Sequence, residues 1–151
     1  VASPLCRSAS APPARTLVDI LLATTAVHAD EPALDDGTAV LTYRDLMSAV
    51  EALAAELDAE GIGAGDRVGV RMTSGTNELY VGILAVLWCG ASYVPVDADD
   101  PDDRAALVIG EAGAVAVLTD GPTIGKSSTH SGTASPWRRA EMISSTRKWV
   151  S

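Results

Sequence analysis

The chain has 151 residues, of which 47% are apolar and 21% charged, with a net charge of −9. That length fits one domain of ordinary size, and no run approaches the ~18 apolar residues that a membrane-spanning helix needs. The acidic balance excludes a sequence-independent nucleic-acid binder, which needs a basic face for phosphate.

Residues 1–15 are rich in Ala, Ser and Pro without periodicity and read as a disordered leader. From Thr16, which has the chemistry of an N-cap, Leu17, Ile20, Leu21, Thr24 and Val27 fall on one stripe at helical spacing. Asp35-Asp36-Gly37 between short apolar pairs predicts a hairpin turn, because glycine tolerates positive φ. Thr42, with Asp45 three residues on, is an acidic variant of the capping box. Leu46, Val50, Leu53 and Leu57 then recur on one helix face. Arg44, Ser48, Glu51, Glu56 and Asp58 take the wet side, and Gly61 ends the helix. Arg67–Met72 reads as a strand with Val68, Val70 and Met72 on one face. Residues 76–88 predict a helix that is apolar nearly all round, hence buried on more than one side. Cys89-Gly90 closes it, and Tyr93–Val96 reads as a short strand. Asp100 is expected to cap the next helix, with Pro101 at its first position and Asp102 and Asp103 at the positive dipole end. Val115–Leu118 is a third buried strand. Strands alternating with helices at this spacing predict an α/β fold with a parallel sheet of right-handed βαβ units.

Charge divides the chain further. Residues 16–120 hold 4 basic and 19 acidic residues, whereas residues 121–151 hold 5 basic residues and Glu141 alone on the acidic side. Beyond Asp120 no 2.0 or 3.6 period is sustained, and Trp137 and Trp149 have few apolar neighbours. The reading is a poorly ordered tail over 121–151.

Several clusters carry the letters of a functional site. Gly121–Ser127, with Gly125 and Lys126, resembles a Walker A loop, but three residues separate the glycines where four are needed, and no helical pattern follows. Thr73-Ser74-Gly75-Thr76 precedes a helix, where turn and N-cap is the better account. Asp97, Asp99, Asp100, Asp102 and Asp103 invite a calcium reading, yet a loop begun at Asp97 has Asp102 where glycine is required and Val108 where glutamate is. Capping and solvation explain these carboxylates better. His28 and His130 stand alone, and with Cys6 and Cys89 they form no zinc spacing or disulfide framework. Cys89, at an apolar helix end, is expected to be a buried thiol acting as a small hydrophobe. Arg7 and Arg15 ahead of Val27-His28-Ala29 imitate a secretory signal, but Asp19 interrupts the apolar stretch, so the expected location is cytoplasmic.

Two segments carry a family resemblance. Leu41-Thr42-Tyr43-Arg44-Asp45-Leu46 is similar to the LTYxEL motif near the start of adenylation domains, with Asp for Glu. Leu87-Trp88-Cys89-Gly90-Ala91-Ser92-Tyr93-Val94-Pro95-Val96-Asp97 is similar to the LKAGxAYVPLD motif that follows about fifty residues later. Between them, GIGAGDRVGVRM resembles GVxxGDxVAVxL. Together they resemble the opening of a nonribosomal peptide synthetase adenylation domain, within the AMP-dependent synthetase and ligase superfamily. The resemblance implies a partial parallel sheet of βαβ units from the N-terminal subdomain of an adenylate-forming enzyme. It implies three parts: a leader over 1–15, a partial AMP-binding domain over 16–120, and a non-family tail over 121–151.

The full-length family joins a carboxylate, commonly an amino acid, to the ATP α-phosphate, giving acyl-adenylate and pyrophosphate. The acyl group then passes to a phosphopantetheine thiol. That chemistry needs backbone N–H groups and a lysine around the phosphates, from a Ser/Thr/Gly-rich loop ending in Pro-Lys-Gly. Ser131-Gly132-Thr133 starts like that loop but continues Ala134-Ser135-Pro136-Trp137-Arg138, after the polar run Lys126–His130 where the family has a strand. The expectation is a truncated, inactive fragment of an ATP-dependent acid ligase with no catalytic, cofactor-binding or metal-binding residue of its own. ATP, Mg and a phosphopantetheine carrier belong to the full-length family. One frameshift or deletion near residue 121 would account for the charge swing, the lost period and the missing loop. The Val1 start leaves room for an upstream piece or a non-AUG initiator. Marginal stability is expected, with helix 76–88 short of neighbours. Two other readings stay open: a non-catalytic interaction module, and one half of a split enzyme completed by a downstream chain. Neither nucleic acid nor membrane is expected as a partner.

Overall fold

A computed structural model of the chain describes residues 15–119 and 141–142. The expected leader therefore lies outside the described residues except for Arg15, and the expected tail except for 141–142.

Helix α1 (Leu17–His28) begins with a reciprocal cap. The Asp19 N–H donates to Thr16 Oγ1 at 3.1 Å, and the Thr16 N–H donates to Asp19 Oδ2 at 2.8 Å. Strands β1 (Pro32–Asp35) and β2 (Val40–Thr42) form the expected antiparallel hairpin, with Gly37 at φ +80° in its tip. Thr42 and Asp45 repeat the reciprocal cap at the start of α2 (Tyr43–Ala59). Leu46, Val50, Leu53 and Leu57 are all buried, joined by Met47 and Ala54, which widen the apolar stripe.

The main sheet has the order β4-β3-β5-β6. Strand β3 (Arg67–Met72) lies between β4 (Ser92–Asp97) and β5 (Ala116–Thr119) and is parallel to both. The two-residue β6 (Glu141–Met142) adds antiparallel to β5. Pro95 is tolerated because β4 pairs with β3 alone among the described strands and so stands at an edge. Helix α3 (Asn77–Trp88) connects β3 to β4, and α4 (Asp102–Ala112) carries the chain from β4 past β3 to β5.

The pleat sends alternate residues to opposite faces, and each face has its own core. Val68, Val70, Met72, Ala116 and Leu118 pack with α2 and α3. A Cβ on Gly82 of α3 would come within 3.2 Å of Met72 Sδ, so the helix lies close on that face. Val96, Ala105, Ile109 and Ala114 form the second core under α4, with Val117 packed against it. Helices on both faces of a parallel sheet are the α/β arrangement expected from the alternation of periods.

Three local expectations need correction, and the α1 stripe, whose burial the sequence left open, is mostly exposed: Leu21 is buried, but Leu17 and Val27 are 60% and 75% exposed, and Ile20 is exposed as well. Helix α1 packs against α2 and α3 with Leu21 buried and Val18, Thr24 and Thr25 half-buried. The uncovered apolar surface therefore falls mainly on α1, not on the 76–88 helix, where Tyr80 is the exposed large apolar residue. Asp100 does not cap α4. Pro101 holds the cap position, with its carbonyl accepting from the N–H groups of Arg104 and Ala105 at 3.0 Å, and no side chain bonds to the cap. Strand β5 starts at Ala116 rather than Val115, although the Val115 N–H still donates to Arg67 O at 2.8 Å.

Leu57 is the largest of the fully buried side chains and joins α2 to the main core. Leu57→Ala should lower unfolding free energy by about 2–5 kcal/mol, while Leu107→Ala, on an exposed position, should stay within about 0.5 kcal/mol. Urea unfolding of the two variants checks this; equal effects would contradict the assigned core.

Candidate functional site at the carboxyl edge of the sheet

Doubly wound sheets bind ligands outside the carboxyl ends of their strands, where successive crossovers diverge. In this chain β3 and β4 end at Met72 and Asp97, followed by the loops 73–76 and 98–101 and the N-termini of α3 and α4. The α3 crossover leaves β3 on one face and the α4 crossover leaves β4 on the other, so this edge is the place to look for a site.

The N-terminus of α3 has oxygen acceptors, all from the chain itself. Thr76 is the N-cap: its Oγ1 accepts from the Leu79 N–H at 3.3 Å and donates to Thr73 O at 2.9 Å. Thr73–Thr76 thus serves as the turn and cap that the sequence favoured over a phosphate loop. The hairpin tip closes over the same helix end. Asp36 Oδ1 accepts from the N–H groups of Thr38 and Ala39, both at 2.8 Å, and Oδ2 takes a longer bond of 3.4 Å from the Asn77 N–H. Asn77 Nδ2 donates to Ala39 O at 2.9 Å, and Asn77 is the buried polar side chain among the described residues. Buried amides need such partners. The Ala39 and Thr38 N–H groups hold the Asp36 carboxyl below its ordinary value of 3.8. A carboxylate already sits where an anionic ligand of this helix would lie.

The acidic run after β4 is arranged around arginines. Arg71 reaches from β3 to donate through Nη1 to Asp102 Oδ1 at 2.7 Å, and through Nη2 to the carbonyl oxygens of Ala98, at 3.4 Å, and Asp100. Its Nε is buried without a hydrogen-bond partner among the described residues. Arg104 Nε lies 3.3 Å from Asp100 Oδ1, and Asp97 Oδ1 accepts from the Asp99 N–H at 3.0 Å. Among the described residues no group of three His, Cys, Asp or Glu side chains could hold a metal ion. Among the described residues, the α3 end already carries the Asp36 carboxylate and the acidic loop already carries the Arg71 guanidinium, so neither fits a nucleotide phosphate or its magnesium as it stands, while the α4 end has no side-chain cap.

The remaining candidates lie elsewhere. His28 Nδ1 is 3.0 Å from Glu31 Oε1 on an exposed surface. Cys89 is half-buried, its Sγ donating to Ala54 O at 3.5 Å, and burial, with Asp58 adding to it, pushes the thiol above its ordinary value. That is the expected inert, small apolar role. Gly121–Ser127, His130, Ser131–Thr133 and Cys6 lie outside the described residues. Sequence reasoning gave Asp36 only a turn and missed Asn77 and Arg71. A charge inside an apolar strand, and an amide opening an apolar helix, were the signals that could have found them.

Residues 21–148 match the profile of the family described as "AMP-binding enzyme". That span extends past residue 120 and takes in most of the segment set apart by its charge. Malpibaldin synthetase of Mortierella alpina is 40% identical over 91 residues, which cover 60% of this chain and 2% of that protein. Surfactin synthase subunit 3 of Bacillus subtilis (strain 168) is 38% identical over 90 residues, again 60% of this chain and 7% of that protein. The Klebsiella oxytoca NpsA N-terminal subdomain, solved in complex with 3-hydroxyanthranilyl-AMSN, superposes with a TM-score of 0.65 at 32% identity. The match covers 71% of this chain and 27% of that one. The chain thus spans a small part of the relatives it matches.

The hairpin clasp has a pH signature. A carboxyl held below its ordinary value contributes stability above that value and loses it as pH falls through the lowered one. The wild-type chain should therefore melt above Asp36→Asn at pH 7, with the gap narrowing as pH drops below about 3.8. Thermal melts of both proteins across pH 7 to 2.5 test this; a gap that stays constant would contradict the clasp.

Proposed function

This chain belongs to the AMP-binding enzyme family, and from that premise we propose that its described body is the opening scaffold of an adenylation domain and does not itself activate a carboxylic acid. The observation that carries the reading is the self-occupied carboxyl edge. The Asp36 carboxylate lies on the α3 end, and Thr73 and Thr76 are engaged in the turn and cap. Arg71 and Arg104 are paired with the acidic loop. Charge developing on a transferring phosphate needs preorganised donors aimed at it. Apart from Arg71 Nε and the uncapped end of α4, the donors described at this edge are aimed at the chain's own oxygens.

In the reaction of the full-length family, a carboxylate oxygen attacks the ATP α-phosphorus and pyrophosphate leaves. On this reading, the chain supplies β3, β4 and β5 as the floor on which such a site is assembled, and the phosphate-handling groups come from other sequence. We propose a carrier thiol as acceptor and an amino acid rather than another carboxylate as substrate, as the motif resemblance to nonribosomal peptide synthetase adenylation domains implies. The "Adenylation-PCP di-domain" named for a fused NpsA-ThdA protein, 32% identical, supports the carrier as neighbour.

A second reading is favoured by α1. Leu17, Ile20, Leu22 and Val27 are exposed on one short helix, more apolar surface than capping and solvation require. That favours a body completed by other polypeptide, as an interaction module or as half of a split adenylating enzyme. A downstream reading frame encoding a buried strand, a Ser/Thr/Gly-rich loop and Pro-Lys-Gly would favour the split enzyme.

Exchange of labelled pyrophosphate into ATP, run with each of the common amino acids, tests the main reading. The purified chain should give no amino-acid-dependent exchange above background. Exchange that responds to one amino acid would contradict it.

A further inference from the structure

A charged residue in a parallel strand covered on both faces is destabilising unless its charge is met by well-placed partners. Arg71 stands in that position. Its neighbours Val70 and Met72 are buried, and the register sets it between Val96 of β4 and Thr119 of β5. Its side chain is 23% exposed and passes under the β4–α4 loop. Oxygens of three residues then converge on one guanidinium: the carbonyls of Ala98 and Asp100, and the carboxylate of Asp102. Backbone carbonyls of an exposed loop ordinarily face water. Two of them here turn toward the same buried cation, in a segment with five carboxylates among seven residues.

We infer that Arg71 is the resident cation of the β4–α4 loop, a positioning residue that gathers the loop's oxygens as a bound metal ion would. The guanidinium neutralises the acidic run from inside and fixes the carbonyls of Ala98 and Asp100. It thereby sets where α4 begins, at Pro101 and not at Asp100. The planar fork suits the task because its two terminal nitrogens reach separate acceptors at once. Arg104, bonded to Asp100 Oδ1 from the solvent side, reinforces the loop, but its side chain is 71% exposed and its pair is correspondingly weak. The inference rests on the described loop alone and stands whether or not the chain takes part in adenylation.

Hydrogen exchange of the amides from Ala98 to Arg104 in the full 151-residue chain reads this directly, with calcium chloride alone as the probe cation. Arg71→Met should raise exchange in this loop by about tenfold or more over its change in Val68 and Val70. Arg71→Lys should restore part of the protection, since the charge returns without the fork. Millimolar calcium should slow loop exchange in Arg71→Met and leave the wild-type chain unchanged. Should Arg71→Met fail to fold, Asp102→Asn, altered at an exposed carboxylate, should still raise loop exchange several-fold with β3 unaffected. Loop exchange unchanged in the altered proteins would overturn the inference. Equal calcium protection of the wild-type chain would also overturn it. So would fast exchange in Arg71→Met that neither lysine nor calcium reverses, since a packing role would then suffice.

Discussion

Strand β3 is the constraint on which the rest of the body depends. It is hydrogen-bonded to β4 along six residue pairs and to β5 along four, so both crossovers must return to it. Val68, Val70 and Met72 feed the core on one face, and on the other Gly69 lies beneath Val117 and Ile109 of the second core. Gly69 is held to a hydrogen for a steric reason: a Cβ there would come within 3.3 Å of Val117 and 3.4 Å of Ile109. Helix α4 packs closely on the second face at this point, and a side chain there would require Val117 and Ile109 to shift by a few tenths of an ångström. The same strand carries Arg71 one residue before its end, so the element that organises the packing also organises the loop at the sheet's carboxyl edge.

Among the described residues, three of the four helices open with a side-chain oxygen bonded to their own first-turn N–H groups: Thr16 at α1, Thr42 at α2 and Thr76 at α3. Asp36 then adds a carboxylate to α3 from a hairpin 41 residues earlier in the chain. These contacts satisfy donors that would otherwise need water or ligand. At the carboxyl edge the α3 end and the acidic loop thus meet the chain's own side chains, whereas the α4 end has no side-chain cap and Arg71 Nε has no partner among the described residues. The apolar surface is less complete, and α1 carries the deficit.

What could be read from the sequence follows from how local each determinant is. The Thr42–Asp45 box acts over three residues and was legible, as were Thr16 as a cap, without its Asp19 partner, and the α2 face, whose period is written by Leu46, Val50, Leu53 and Leu57. The parallel sheet followed from the alternation of periods. The burial of α1 was not legible, because a stripe of Leu17, Ile20 and Val27 reports that a face is apolar and not whether anything lies against it. Asp100 looked like a cap because sequence shows a carboxylate before a proline. It does not show that a guanidinium 29 residues earlier takes the carbonyl of the same residue. The carboxyl edge was legible only in part: Thr73–Thr76 was read as turn and cap, while the Asp36–Asn77 contact spans 41 residues and leaves no local pattern.

If the described body serves as scaffold, with the α3 end and the acidic loop occupied by its own Asp36 and Arg71, it should not bind nucleotide by itself. Equilibrium binding of ATP with magnesium, followed by calorimetry on the full chain, tests that most directly. The account predicts no saturable binding up to about 1 mM ATP, the upper end of the usual substrate range. Saturable one-to-one binding in the micromolar range would contradict it.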